Sequence, residues 1–193
     1  MTSGEFIFGA STPRHSCLAQ AVGDFATPRM HVVNEYKSSE MVIKRHKRLF
    51  TDVSANLTWF QMTYFRDTEI CARMTNVPRG SESETFTDPS TGYCCYLDTM
   101  TSSTSRLLIK RAGGTFAKSE PFPTVFGDSA YHTLQLSVIG NTISCGHVSE
   151  NTEAVTTWLR ASDHDSVLAE GGLAFLVYDG SSSHYFRSFS LEY

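Results

Sequence analysis

Hydrophobic and polar residues alternate most regularly in one stretch in the second half of the chain. In residues 131–139, three aliphatic side chains are separated by single polar residues. This period of two predicts a strand with one buried face and one solvated face. Gly140-Asn141 follows, and residues 142–148 are again rich in strand-forming side chains. Gly-Asn between two such runs predicts a tight hairpin turn, because both residues tolerate a positive φ.

Short runs of the same kind recur along the rest of the chain. We expect about ten to twelve strands, at intervals of roughly 8–12 residues, and almost no helical periodicity. Residues 57–65 are dense in aromatic side chains on both faces, which predicts a central strand. The other predicted strands are residues 5–8, 30–36, 41–44, 70–74, 92–98, 106–111, 173–178 and 185–193.

Three local features of this pattern make sharper predictions. The strand at residues 5–8 is expected to pair with the C-terminus. Phe186 breaks the alternation of the last strand, which indicates a bulge near Arg187. Residues 16–22 and 154–160 are expected to form short helical turns.

This pattern is typical of an all-β protein, an antiparallel β-sandwich or barrel. The 193 residues suffice for one domain with a substantial core. We therefore expect a single domain over residues 1–193, with residues 41–193 as its core and residues 1–40 as an N-terminal extension.

Charge and hydropathy exclude several classes of partner. The formal net charge is -4, and residues 44–48 form the longest basic run, so no nucleic acid is expected as a partner. No apolar run approaches the ~20 residues that a membrane-spanning helix needs. Residues 1–20 lack the pattern of a signal peptide. Localisation stays open, because an intracellular protein and a secreted protein with its signal removed both fit.

The five cysteines are Cys17, Cys71, Cys94, Cys95 and Cys145. Their odd number and irregular spacing favour buried free thiols, and the alternative is one or two disulfides in a secreted protein. Cys94 and Cys95 are adjacent in a predicted strand, so their side chains are expected on opposite faces.

Four segments in order resemble the concanavalin A-like lectin/glucanase superfamily, in particular its laminin G-like branch. They are residues 49–59, the pair 71–74 and 92–98, the hairpin 107–115, and the closing part with Asp163 or Asp165, Gly171-Gly172 and residues 185–191. The resemblance covers roughly residues 41–193. It implies a jelly roll of two antiparallel sheets, one of them concave. Because this fold hosts lectins, binding modules, hydrolases and lyases, it does not fix the function.

The main functional hypothesis is recognition of a carbohydrate, a glycoconjugate or another small polar ligand by a concave sheet face. If Ala72 and Leu97 point inward, the alternation of strand residues places Arg73, Tyr96 and Asp98 on one outward face. An aromatic ring beside an arginine and a carboxylate suits a sugar, because the ring stacks and the charged groups bind hydroxyls. Ordinary cross-strand pairing is the alternative explanation. Trp158 and His184 complete the predicted ligand-binding set.

The alternative from another class is a glycan-active hydrolase, lyase or isomerase. Its catalytic residues are unknown, because the chain lacks the paired carboxylates that glycosidases of this fold carry on one strand. A site of His, Tyr and Arg on the same face would be needed, and the histidines near predicted strand ends are His132, His147 and His184.

No cofactor is required by the sequence, and calcium is the one metal that it suggests. Asp163 and Asp165 form a compact acidic loop of the oxygen ligands that calcium prefers. Calcium-binding members of the resembled family tend to carry an acid where this chain has Arg187, which weakens the comparison.

Overall fold

A computed structural model describes residues 6–10, 30–32, 41–45, 50–61, 68–74, 91–124, 131–149, 157–165, 168–177 and 184–192. In 6–10, 30–32, 41–45, 60–61, 173–177 and 184–192 it describes the backbone alone. The strands are β1 (Phe6–Ala10), β2 (Met30–Val32), β3 (Met41–Arg45), β4 (Val53–Gln61), β5 (Thr68–Met74), β6 (Tyr93–Thr101), β7 (Thr104–Arg111), β8 (Gly114–Lys118), β9 (Phe122–Pro123), β10 (Tyr131–Ile139), β11 (Thr142–Ser149), β12 (Thr157–Ser162), β13 (Gly172–Val177) and β14 (His184–Glu192).

The strands form two antiparallel sheets that pack face to face. One sheet has the order β12-β11-β10-β4-β14-β2, and the other has the order β13-β5-β6-β7-β8, with β9 pairing to β7. The pair β1-β3 forms a small additional sheet. The described part of the chain contains no helix, so the predicted all-β sandwich is confirmed. It follows that no described segment is a helix long and apolar enough to cross a membrane.

The core lies between the two sheets and follows from the alternation within each strand. In β10 buried and partly exposed residues alternate over eight positions, which confirms the strand predicted there. β10 buries every second side chain because successive side chains point to opposite faces, whereas β5, inside the other sheet, is buried at all seven positions. The core side chains include Leu57, Trp59, Ile70, Tyr93, Leu97, Leu107, Ile109, Leu134, Leu136 and Ile143, each fully buried.

The two tight hairpins that the sequence indicated are present. β10 and β11 join at Gly140, whose φ is 56°. β7 and β8 join at Ala112 and Gly113, with φ of 48° and 77°. The register of β14 against β4 shifts between Phe186 and Ser188, which confirms the predicted bulge.

Three local predictions are wrong. β1 pairs with β3 and not with the C-terminal strand. The proposed helical turn at 154–160 is in part the strand β12, which pairs with β11. The cysteines also differ from the expectation of free thiols, because Cys71 bonds Cys94 and Cys95 bonds Cys145. The helical turn proposed for 16–22 lies outside the described residues, and the single-domain organisation stays a prediction.

The adjacent cysteines point to opposite faces, as predicted. Cys94 and Cys71 are register partners in β6 and β5, so their disulfide joins neighbouring strands within one sheet. Cys95 points into the core and bonds Cys145 of β11. The second disulfide therefore links the two sheets of the sandwich.

Candidate functional site

Part of the outer surface of the sheet β12-β11-β10-β4-β14-β2 carries mostly small polar side chains and is called the polar face below. Tyr131 and Val148 lie on the same surface beside it. The residues of the polar face alternate with the buried residues of β4, β10 and β11 and with the partly buried residues of β12, so they all lie on the side away from the core. The polar face consists of Ser54, Asn56, Thr58, Thr133, Gln135, Ser137, Ser144, Gly146, Trp158 and Arg160.

Trp158 is the aromatic residue of the polar face. It belongs to β12, an edge strand of the sheet, and is 49% exposed although it is large and apolar. Its register partner is Gly146 of β11. A Cβ atom at residue 146 would lie 2.9 Å from the Cε3 and Cζ3 atoms of the indole, closer than van der Waals contact allows. Glycine at this position therefore lets the ring lie over the neighbouring strand.

Two rows of side chains run from β12 across the sheet. The first row continues from Trp158 and Gly146 to Gln135 and Asn56, and the second consists of Arg160, Ser144, Ser137 and Ser54. Neighbouring strands lie about 4.8 Å apart and alternate residues of one strand about 7 Å apart, so the two rows are adjacent. The rows thus combine an aromatic ring with side-chain amides and hydroxyls.

Two hydroxyl pairs hold the polar face together. Ser54 Oγ lies 2.9 Å from Ser137 Oγ, and Thr58 Oγ1 lies 2.9 Å from Thr133 Oγ1. Each pair joins β4 to β10 across the middle of the sheet. A hydroxyl that takes part in one such bond keeps further hydrogen-bonding capacity, since each carries one donor and two acceptor lone pairs.

Arg73 lies elsewhere and is not an exposed side chain. It has a φ of 54° at the end of β5 and is only 2% exposed. Its guanidinium donates to the carbonyl of Thr51, to that of Gly140 at 2.7 Å and to that of Leu168 at 2.8 Å. It also forms a 3.2 Å ion pair with Asp52. The prediction of an outward Arg73 is wrong, because its left-handed backbone ends the regular alternation of β5.

Tyr96 and Asp98 share one face, but it belongs to the other sheet. Both residues lie in β6 and are partly exposed. Asp98 Oδ2 accepts a 2.6 Å hydrogen bond from Arg106 Nε of the neighbouring strand. Lys110 Nζ lies 3.3 Å from the centroid of the Tyr96 ring. One side of this ring is therefore already covered by a cation from its own sheet.

The five predicted ligand-binding residues do not form a single patch. Trp158 belongs to the sheet that contains β10 and β11, whereas Tyr96 and Asp98 lie on the outer surface of the opposite sheet. His184 begins β14, where its backbone pairs with Gln61 and Val32, and its side chain lies outside the described part of the structure. Ligand binding by Tyr96, Asp98 and His184 stays a prediction.

Two of the three histidines considered for an enzymatic site lie inside the sandwich. His132 is 1% exposed and His147 is 2% exposed. Their rings stack, with His132 Nδ1 3.2 Å from His147 Nε2, and Phe122 stacks on His147. Burial, together with the nearby His132, lowers the pKa of His147 to about 3. These imidazoles contribute to the core and do not reach a ligand on either outer face.

Asp163, which the sequence offered as a calcium ligand, is a buried acid with partners from its own chain. It is 1% exposed. Its Oδ2 accepts a 2.6 Å hydrogen bond from the Tyr93 hydroxyl and forms a 3.1 Å ion pair with Arg111. Its Oδ1 accepts a 3.3 Å bond from the Asp165 backbone N–H, while the Asp165 side chain is exposed. Burial and the bond to Asp163 raise the pKa of Tyr93, so this hydroxyl stays a donor.

One group of buried residues has the spacing of metal ligands. The Glu69 carboxylate and the sulfurs of Cys71 and Cys94 lie within 4.8 Å of one another. The two sulfurs are bonded to each other, so neither is a thiolate ligand. Glu69 forms a 3.6 Å ion pair with Lys110. This arrangement is that of a disulfide beside an ion pair.

The comparisons with known proteins identify the fold. No protein-family model and no curated protein matches the sequence. Among solved structures, lectin II from Ulex europaeus superposes with a TM-score of 0.57 and 8% identity, covering 96% of this chain and 91% of that one. The Ca²⁺/Man3GlcNAc-bound form of the VIP36 exoplasmic/lumenal domain superposes with a TM-score of 0.60 and 15% identity, covering 97% of this chain and 83% of that one.

A third structure, a Bacillus subtilis protein of unknown function with a galectin-like fold, gives a TM-score of 0.61 at 13% identity and covers 97% of this chain and 89% of that one. At such low identities the comparisons establish the fold and not the function. The chain therefore has the concanavalin A-like lectin fold that its sequence motifs suggested.

Sequence reasoning found Trp158 but missed most of its surroundings. Gly146, Gln135 and Arg160 were not recognised, although one signal was available. Residues 142–149 place Ser144 and Gly146 at alternate positions, and a glycine inside a strand often marks the close approach of another group. The group that approaches Gly146 is the indole of Trp158.

Proposed function

We propose that the protein binds carbohydrate on the polar face, with Trp158 as the stacking platform. The observation on which the proposal rests is the half-exposed indole over Gly146, in one row with Gln135 and Asn56. Burying a ring as large as indole is favourable, so a tryptophan left half exposed on an ordered strand suggests a surface that a ligand covers.

The chemistry of the polar face suits a sugar. A pyranose ring has an apolar side that packs on an aromatic ring, and its hydroxyls both donate and accept hydrogen bonds. Amides such as Gln135 and Asn56 offer both donors and an acceptor, and the serines offer hydroxyls. Since these side chains project from paired strands, they are held in place before a ligand binds, which lowers the entropic cost of binding.

The solved structures with this fold support the same class of ligand. One of them is a lectin complexed with galactose, and another is a mannose-bound domain. The proposal for this chain is general recognition of glycans. No single sugar is implied, because the residues that contact those sugars are not identifiable here at 8% and 14% identity.

Calcium has no role in the proposed site. The two VIP36 structures are Ca²⁺-bound forms, and calcium binding by Asp163 and Asp165 of this chain stays a prediction. At Asp163 a guanidinium and a hydroxyl already contact Oδ2, so a calcium ion there would have to compete with the adjacent cation. The proposed mechanism uses only side chains of the polar face.

The test of this function is binding to a glycan array, followed by calorimetric titration of the best glycan. Trp158→Ala should weaken binding at least tenfold, about 1.4 kcal/mol, because it removes the stacking surface. Gly146→Ala should weaken binding to a smaller extent, because its Cβ displaces the indole.

The control is Phe116→Ala, which removes another exposed aromatic ring, 36% exposed, from β8 of the opposite sheet. This variant should bind as the parent does. If no glycan binds, or if Trp158→Ala binds like the parent while its melting temperature is unchanged, the proposed function is incorrect.

A further inference from the structure

The polar face carries one charged residue among its described side chains. Its other members are serine, threonine, asparagine, glutamine, glycine and tryptophan, and the exception is Arg160. Arg160 is exposed, and no ion pair joins it to another described side chain. A guanidinium whose described neighbours on the polar face are all neutral is distinctive in a chain whose net charge is -4.

Arg160 is placed beside the proposed stacking platform. It follows Trp158 by two residues in β12, so both side chains leave the same face about 7 Å apart. Its register partner is Ser144, and Ser137 continues the row. Because these neighbours are small, the surface beside the guanidinium is open toward the middle of the sheet.

We propose that the polar face selects glycans with an anionic group, a carboxylate or a sulfate, which Arg160 binds while a sugar ring stacks on Trp158. This inference rests on the proposed carbohydrate binding and adds the class of ligand. Guanidinium binds carboxylate and sulfate through two parallel N–H donors, a geometry that neutral hydroxyls do not match.

The overall charge of the protein does not favour acidic ligands, so the selectivity has to come from Arg160 itself. A net charge of -4 repels anions in general, so preference for an acidic glycan has to come from a specific contact. The contact is at the surface, where salt screens it over about 10 Å at 0.1 M ionic strength. Binding of an acidic glycan should therefore weaken with added salt, whereas stacking on Trp158 should not.

The dimensions of the polar face suggest an oligosaccharide. From β12 to β4 there are three strand spacings, which correspond to about 14 Å. Among the described side chains, the aromatic row extends to Asn56 and the row of Arg160 extends to Ser54. The backbone register continues these rows to Ser190 and Glu192 of β14. A chain of sugars lying across the strands would meet Arg160 and Trp158 at one end and neutral hydrogen-bonding groups at the other.

The experiment compares glycans that differ only in the anionic group. The pairs are sialyllactose with lactose, trigalacturonic acid with its carboxyl-reduced form, and a chondroitin sulfate tetrasaccharide with its desulfated form. The first two pairs test a carboxylate, and the third tests a sulfate. At roughly 20 mM salt, the parent should bind the acidic member of at least one pair tenfold more tightly than the neutral member. At roughly 300 mM salt, where charges are more strongly screened, this difference in affinity should decline.

Three variants separate the contributions. Arg160→Gln should lose the preference and keep the affinity for the neutral member, and Arg160→Lys should keep part of the preference. Trp158→Ala should weaken binding of both members. Lys118→Gln removes an equal charge from an exposed residue of β8, in the other sheet, and should retain the full preference.

Each other result decides between the two proposals. Equal binding of both members by the parent and by Arg160→Gln overturns the anionic selectivity and leaves carbohydrate binding intact. Equal loss of preference in Lys118→Gln and Arg160→Gln also overturns it, because net charge alone would then explain the effect. If no member of any pair binds and the glycan array is also negative, both proposals fail.

Discussion

At the scale of single residues, the alternation rule placed side chains correctly except where the backbone leaves the β region. The rule places Tyr96 and Asp98 on one outward face, and the structure agrees. It failed at Arg73, whose φ of 54° turns the side chain toward three backbone carbonyls. An arginine with a left-handed backbone conformation is uncommon, and none of the residues next to Arg73 predicts its positive φ.

Arg73 is therefore expected to act on stability. Arg73→Ala removes the donor of three part-buried hydrogen bonds to backbone carbonyls, which costs about 2 kcal/mol in the free energy of unfolding. The ion pair with Asp52 adds little, because the Asp52 side chain is 59% exposed. Urea denaturation measures the change, and the glycan affinity of the folded fraction should equal that of the parent.

The matched control for Arg73 is Arg106→Ala. Arg106 forms a 2.6 Å ion pair with Asp98 in which both side chains are partly exposed, 33% and 21%. Its loss should cost less than about 1 kcal/mol. Equal destabilisation by the two substitutions would contradict the structural role assigned to Arg73.

The stacked histidines make stability depend on pH. His147 has a pKa lowered to about 3 in the folded protein, whereas its ordinary value is 6.5. The unfolded chain therefore binds a proton below pH 6.5 that the folded chain does not bind until about pH 3. Stability contributed by this group is complete above pH 6.5 and falls toward pH 3, by up to about 1.4 kcal/mol per pH unit.

Urea denaturation between pH 7.5 and pH 5, roughly the range in which carboxylates stay ionised, measures this slope. His147→Gln should flatten it, whatever its effect on stability at pH 7.5. His164→Gln removes an exposed imidazole and should retain the parent slope. A slope that persists in His147→Gln would show that another group causes the pH dependence.

At the scale of strands, the sequence predicted elements whose buried and exposed faces differ in polarity. β10 and its hairpin with β11 follow from strict alternation and Gly140. β12 was mistaken for a helical turn because its largest apolar side chain is on the exposed face and its smaller apolar side chains are on the buried face. Trp158 points outward, while the smaller Leu159 and Ala161 pack against the core. A large aromatic residue in a sequence is usually interpreted as a core residue. Trp158 is an exception, and it lies in the candidate site.

The pairing of distant strands was less predictable. β10 pairs with β11, which follows it directly in the chain, and also with β4, which precedes it by about 70 residues. The polar face can be recognised only with this register, because Gln135 and Asn56 are singly ordinary polar residues of strands and Gly146 alone does not reveal which group approaches it. Local patterns determine which side of a strand is polar, but they do not determine which polar sides become neighbours.

At the scale of the whole molecule, the disulfides change the expected environment. Both bonds are formed by buried cysteines, and Cys95–Cys145 crosses the core between the sheets. Disulfides persist in oxidising compartments and are rare in the cytosol. We therefore expect the chain to fold in an oxidising compartment. This agrees with the alternative given from the sequence, one or two disulfides in a secreted protein.

The two disulfides should differ in what they contribute. The Cys95–Cys145 bond closes a loop of 50 residues, and the Cys71–Cys94 bond closes one of 23. Constraint of the unfolded chain gives about 4 kcal/mol for the longer loop and roughly 0.7 kcal/mol less for the shorter. The difference should be larger in practice, because Cys71 and Cys94 join strands that are already paired.

The double variants Cys95→Ala/Cys145→Ala and Cys71→Ala/Cys94→Ala test this ranking by urea denaturation under non-reducing conditions. The first should lose more stability, because it frees the two sheets from each other and also removes two buried side chains from the core. Each variant should retain the other bond, since Cys94 and Cys95 point to opposite faces and cannot replace each other. A larger loss from the Cys71/Cys94 variant would mean that the disulfide within the sheet, and not the one between the sheets, secures the sandwich.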